Sequence, residues 1–202
     1  MSDLIIKPSG TGASLKIQNP SGTNKIVMNS SGTITTGTLG SGVTFPAGHV
    51  LQVKSASMGD ALSLTSITAQ TWTDIAGLSV QITPKFSSSK IMVFASVKGN
   101  TAQNVMCFLK TLRDSTEVGI GNTQGSFTRC SGALKEISSY DIGSTDWNFI
   151  DSPTIPDTPI AITYKVQVYT NGTVYINRPT VAADNYSVGS AHSSMTVMEI
   201  KQ

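Results

Sequence analysis

The sequence is short of charge. Only 13% of its residues are Asp, Glu, Lys or Arg, about half the ~25% of an ordinary soluble domain. The 14 basic and 12 acidic residues leave a net charge of +2, and no basic run occurs. That excludes phosphate-driven nucleic-acid binding, which needs a clustered cationic footprint. Two cysteines, Cys107 and Cys130, are too few for a disulfide framework. Cys107 lies inside the apolar run Val105–Leu109 and reads as a small buried hydrophobe. The two histidines, His49 and His192, have no Cys, His or carboxylate at a metal-ligand spacing, so no metal site is expected. No stretch reaches 18 apolar residues, so no transmembrane helix or membrane insertion is expected. Met1–Lys7 has neither a basic n-region nor a long apolar stretch, so no secretory signal is expected. A nucleophile elbow and a phosphate-binding Walker loop are also missing. Gly119–Gly125 is one residue off a dinucleotide loop, lacks a following helix, and reads as a glycine-rich turn. The expectation is a non-enzyme with no catalytic residues and no cofactor.

What the chain has instead is Ser and Thr, about a quarter of all residues, and 18 Gly. Thr suits a pleated surface, whereas Ser and Gly suit turns. No segment of ten or more residues carries a clean helical period, so the fold class is all-β.

Two regions differ. Residues 1–48 hold one aromatic, Phe45, and four charged residues, Asp3, Lys7, Lys16 and Lys25. Ser-Gly recurs at Ser9–Gly10, Ser21–Gly22, Ser31–Gly32 and Ser41–Gly42. Short apolar pieces lie between: Leu15–Ile17, Lys25–Met28 and Thr33–Thr35. Each is too small to repay its ordering entropy alone, roughly 1–2 kcal/mol per residue. Such pieces become stable by stacking or by association with other chains. A repeat shaft or anchor of short strands is therefore expected over 1–48.

Residues 49–202 read as about eight short strands, which suggests an antiparallel β-sandwich or jelly roll. Val50–Val53 opens a strand. Ile67–Ile75 and Leu78–Ile82 alternate, and Ser87–Ser89 turns the chain. Val105–Leu112 and Glu117–Ile120 flank the turn Arg113–Thr116. Ile91–Val97 is almost continuously apolar, which predicts burial on both faces and a second chain covering one of them. Ile91, Val93, Phe94 and Val97 are the candidate interface residues. Ile160–Thr170 alternates cleanly, with Ile160, Ile162, Tyr164, Val166 and Val168 on one face. Asn171–Gly172 follows, a strong hairpin signal. Matching polarity across the pair predicts a three-residue loop, Thr170–Gly172, with Val168 opposite Val174 and Val166 opposite Ile176. Met195–Ile200 forms a last strand.

Several segments resemble a module of phage fibre proteins. They are Ile82–Lys85 with Ser87–Ile91, Phe149–Pro153 ahead of Thr163–Gln167, Val174–Arg178, and Ser193–Ile200. Together they resemble the trimeric, C1q/TNF-like jelly-roll head of tail-fibre-like proteins from marine and cyanobacterial phages, over residues 65–202. Phe45–Val53 resembles a shaft-to-head junction. The resemblance implies a homotrimeric structural virion protein, a bacteriophage tail fibre or spike. Its head would mediate host attachment by receptor binding, with other virion proteins gripping the N-terminal region. The protein would assemble in the host cytoplasm and be exposed on the particle. A capsid-mounted decoration without a receptor role is the alternative, and a polysaccharide depolymerase a more distant one. For a host glycan or protein the candidate contacts are Tyr140, Asp146 and Trp147. They sit in Tyr140–Pro159, read as a loop, where Asp141, Asp146, Asp151 and Asp157 recur among aromatics, which can stack on sugars while acids hydrogen-bond them.

Overall fold

The computed structural model describes residues 15–18, 20–21, 24–29, 31, 34–36, 46–64, 71–158, 160–181 and 188–202. The expected alternation over Ile67–Gln70 and the glycines of the Ser-Gly repeats lie outside them. The chain forms two compact units, Met1–Phe45 and Pro46–Gln202.

The first unit contains a three-stranded antiparallel meander. Its strands are β1 (Leu15–Gln18), β2 (Asn24–Met28) and β3 (Ile34–Thr36), in that spatial order. The short apolar pieces thus pair with one another within one chain. Val27 is buried, whereas Ile17 and Ile26 are exposed.

The second unit is an antiparallel β-sandwich. One sheet holds β4 (Val50–Met58), β14 (Ser193–Ile200), β7 (Lys90–Thr101) and β11 (Gly143–Asp151). The short strands β5 (Leu62–Leu64) and β13 (Val174–Ile176) extend it beyond the end of β14. The other sheet holds β6 (Thr73–Ile82), β12 (Ile162–Thr170), β8 (Cys107–Arg113) and β10 (Gly132–Leu134), with β9 (Thr116–Val118) also on β8. The pairings nest: β4 with β14, β6 with β12, β7 with β11, and β8 with β10. Nested antiparallel pairs divided between two sheets are the topology of a jelly roll.

Alternation builds the core. Ile91, Val93, Ala95 and Val97 of β7 face Val166 and Val168 of β12, Leu109 of β8, and Leu78 and Val80 of β6 in one cluster. Ile75 and Leu78 are both buried although three residues apart. A bulge resolves the parity: Gly77 adopts φ +91°, a left-handed value that glycine tolerates.

Two expectations fail here. The hairpin after Thr170 does not form. β12 pairs with β6 and β8, whereas β13 pairs with β5 and β7, so residues 171–173 cross from one sheet to the other. Gly172 is needed for space and not for a positive φ, because a Cβ there would collide with Val105. Asn171 Oδ1 accepts the Met106 amide at 2.8 Å, tying the crossover to the neighbouring loop. The second failure concerns Ile91, Val93 and Val97. All three are fully buried within a single chain, so none is left for an interface. Their strand has two apolar faces, but the inward one is consumed by the sandwich itself. Phe94 alone of the four points outward.

Candidate functional site

The outer face of the β4–β14–β7–β11 sheet is the candidate site. Cross-strand register sorts its side chains into rows. Ile150, Met92, Met198 and Val53 line up across the four strands, and Ile200 and Val50 pair beside them. Val50, Val53 and Ile150 are 48%, 50% and 60% exposed; Met92, Met198 and Ile200 are half-buried. The next row is Asn148, Phe94, Thr196 and Ser55, with Phe94 39% exposed. Beyond it lie Asp146, Ser96, Ser194 and Ser57. The small side chains of that row leave a notch of about 250 Å³ beside Phe94, edged by Asp146, Asn148, Ser194 and Thr196.

The face therefore grades from apolar to polar along the strands. At its polar end Lys98 reaches Asp146 at 3.1 Å and also bonds Ser144, which donates to Asp146. Hydrogen bonds from Ser144, Ser96 and Lys98 hold the Asp146 carboxyl below the ordinary carboxylate range, although partial burial opposes them. A continuous outward apolar stripe is unusual on a two-layer sandwich, whose solvent faces are normally polar.

The structure does not bring Tyr140, Asp146 and Trp147 together. Residues 143–151 form a strand, not a loop, so Asp146 and Trp147 point to opposite faces. Trp147 packs against the core, and its Nε1 donates to Thr111 Oγ1 at 2.9 Å. Tyr140 sits half-exposed in the turn before the strand. The acids do not converge either. Asp146 is committed to Lys98, and Asp151 accepts Arg113 at 2.8 Å and the Tyr164 hydroxyl at 2.7 Å. Burial, then the hydrogen bond to Asp151, pushes the Tyr164 hydroxyl above the usual phenolic range. Among the described residues no group of three or more His, Cys, Asp or Glu side chains could hold a metal ion.

The stripe was partly legible. Met92 and Phe94 sit within the continuous run of β7, and their outward parity was the signal. Val53, Ile150 and Met198 could be added only once the register was known, because they come from three separate strands.

No protein-family model matches the chain, and no curated protein does. Two of the solved structures similar to it are these. One is described as the structure of infectious bursal disease virus, Gx strain: 14% identity, 75% of this chain, 37% of that chain, TM-score 0.39. The other is the same virus, Gt strain: 11% identity, 91% of this chain, 44% of that chain, TM-score 0.37. The chain thus spans less than half the length of either.

Proposed function

We propose that the chain is a non-catalytic structural protein of a virion: a homotrimeric fibre or spike whose β-sandwich head self-associates and meets the host surface. The observation that carries this reading is the apolar stripe of Val50, Val53, Phe94 and Ile150 on one outer sheet face. Fully burying a side chain of this size contributes about 1.5–3 kcal/mol. A second copy of the same chain supplies a matching apolar surface, and the notch beside Phe94 offers room for an inserted ring. The sequence segments that resemble phage fibre heads point to the same assembly. Three heads on one particle would give avidity to weak individual contacts. Attachment, and anchoring through the first unit, belong to this proposal.

Light scattering of the purified chain tests it, with three copies expected. Phe94→Asp combined with Ile150→Asp should yield monomers that keep the β-sheet circular dichroism. A wild-type chain that is monomeric at micromolar concentration would sink the proposal. Attachment is tested separately: excess protein should block adsorption of the particle that carries it. Unimpeded adsorption would leave a decoration role without a receptor.

A further inference from the structure

The outer face of the other sheet carries a second, different surface. Thr73 pairs with Val168 and Tyr169 with Phe108, so Trp72, the residue immediately before β6, falls in one row with Tyr169 of β12 and Phe108 of β8. The Trp72 and Tyr169 ring centroids are 5.4 Å apart at 48°, and those of Tyr169 and Phe108 are 6.1 Å apart at 39°. All three rings are half-buried, so each keeps some surface open to solvent. The Lys110 ammonium lies 4.1 Å from the Trp72 ring centroid and donates to Glu117 Oε1 at 2.6 Å. Lys110 is only 5% exposed, although it too stands on the solvent side of its strand. The indole therefore lies down over the sheet, with a buried cation against the ring. Alongside the row, Asp74 accepts Lys165 Nζ at 2.8 Å and Gln167 Nε2 at 2.7 Å.

We propose that this face binds a neutral polysaccharide. The C–H faces of successive sugar rings would stack on Trp72 and Tyr169. Their hydroxyls would donate to the remaining lone pairs of Asp74 and Glu117 and exchange with the Gln167 amide. Two arguments select the ligand class. Every cation along this flank already faces a carboxylate, Lys110 at 2.6 Å and Arg129 at 4.0 Å from Glu117 and Lys165 at 2.8 Å from Asp74, so an anionic chain would meet Glu117 and Asp74 as like-charge neighbours. A protein partner anchored on the aromatics would have to exclude water from around them, whereas the flank of this row is carboxylate, ammonium and amide, with Glu117 and Asp74 about half exposed. A polyhydroxylated chain suits both the rings and the flank. The inference rests on the proposed attachment role for its purpose. It also uses the proposed self-association face, which lies on the opposite sheet and would leave this one open.

The experiment is electrophoresis of the full chain through native gels containing dextran, yeast mannan, xylan or a soluble β-glucan, with alginate and chondroitin sulfate as anionic arms. At least one neutral polymer should retard the protein. Trp72→Ala and Gln167→Leu should each weaken that retardation about tenfold or more, with unchanged circular dichroism. If Trp72→Ala misfolds, Gln167→Leu and Tyr169→Leu carry the test. The chain has two tryptophans, so Trp147→Phe leaves Trp72 as the reporter, and its fluorescence should change saturably with the same polymer. No retardation by any neutral polymer overturns the proposal. So does retardation by the anionic ones alone, or binding that survives all three substitutions. A trimer that binds none of them sinks only this inference; a monomer that binds sinks only the assembly.

Discussion

At the scale of single residues, Glu199 is the most consequential side chain outside the two faces. It is fully buried. Its Oε1 accepts the Lys85 amide at 2.7 Å, the Phe86 amide at 3.3 Å and the Ser89 hydroxyl at 2.7 Å. Its Oε2 accepts Gln52 Nε2 at 2.7 Å. A buried carboxylate is tolerated when hydrogen-bond donors replace its water, and these donors fasten the turn before β7 onto β14. Glu199→Ala would strand several of them, each costing about 1–3 kcal/mol. Urea unfolding should lose about 3 kcal/mol, and less for Glu199→Gln, which keeps one acceptor oxygen. An alanine variant as stable as wild type would contradict this account. Cys107 offers a second residue-scale check. Burial pushes its thiol up to about 12, with only a partial offset from the Leu134 backbone. At pH 8 Ellman's reagent should find one accessible thiol, Cys130, and a second only after unfolding. Two fast thiols in the native protein would refute the packing around Cys107.

At the scale of elements, β7 is the strand on which the first sheet depends. It borders β11 on one edge, and β14 followed by β13 on the other. The join with β13 is tight at Gly99, where a Cβ would collide with the carbonyl oxygen of Tyr175. Backbone cannot yield as a flexible side chain can, so Gly99→Ala should cost at least the roughly 1–3 kcal/mol of ordinary overpacking. Gly59→Ala is the control, since its backbone is not left-handed and the nearest atom to a Cβ there, His192 Cδ2, is an ordinary 3.9 Å away. Equal melting temperatures for the two variants would count against the β7–β13 join. Sequence alone revealed a good deal at this scale. Alternation in Leu78–Ile82 and Ile162–Val168 marks the inward residues correctly, because a strand's two faces differ every second residue. Alternation says nothing about which sheet a strand joins. Val168 and Val174 both point inward whether they pair in a hairpin or lie in different sheets, and the structure has the latter arrangement. The same ambiguity hid β11. Its Asp146 and Asn148 made Tyr140–Pro159 resemble an acidic loop, while its inward Trp147 and Phe149 kept the strand period. The aromatic row was out of reach altogether: Trp72, Phe108 and Tyr169 are far apart in the chain and meet only through the register of three strands.

At the scale of the whole molecule, the sandwich presents two outer faces of opposite character. One is apolar at one end and carries a notch; the other is aromatic with an ion-paired polar flank. The polar side of the first face is already satisfied internally by Lys98, Ser144 and Asp146, so association there would rest on the apolar stripe. That makes assembly and stability one linked quantity. Anything that binds only the folded state raises its apparent stability by mass action, and a partner copy is such a ligand. Each tenfold dilution weakens a bimolecular association by about 1.4 kcal/mol, and a trimer contains two such steps. The melting temperature of the wild-type chain should therefore fall steadily on dilution from micromolar to nanomolar concentration. The Phe94→Asp, Ile150→Asp variant should melt at one temperature throughout, near the dilute limit of the wild type. Salt should change the wild-type profile little, because screening acts on charges and the stripe has none. A wild-type melting temperature independent of concentration over that range, or one that collapses at high salt, would show that the apolar stripe does not hold copies together.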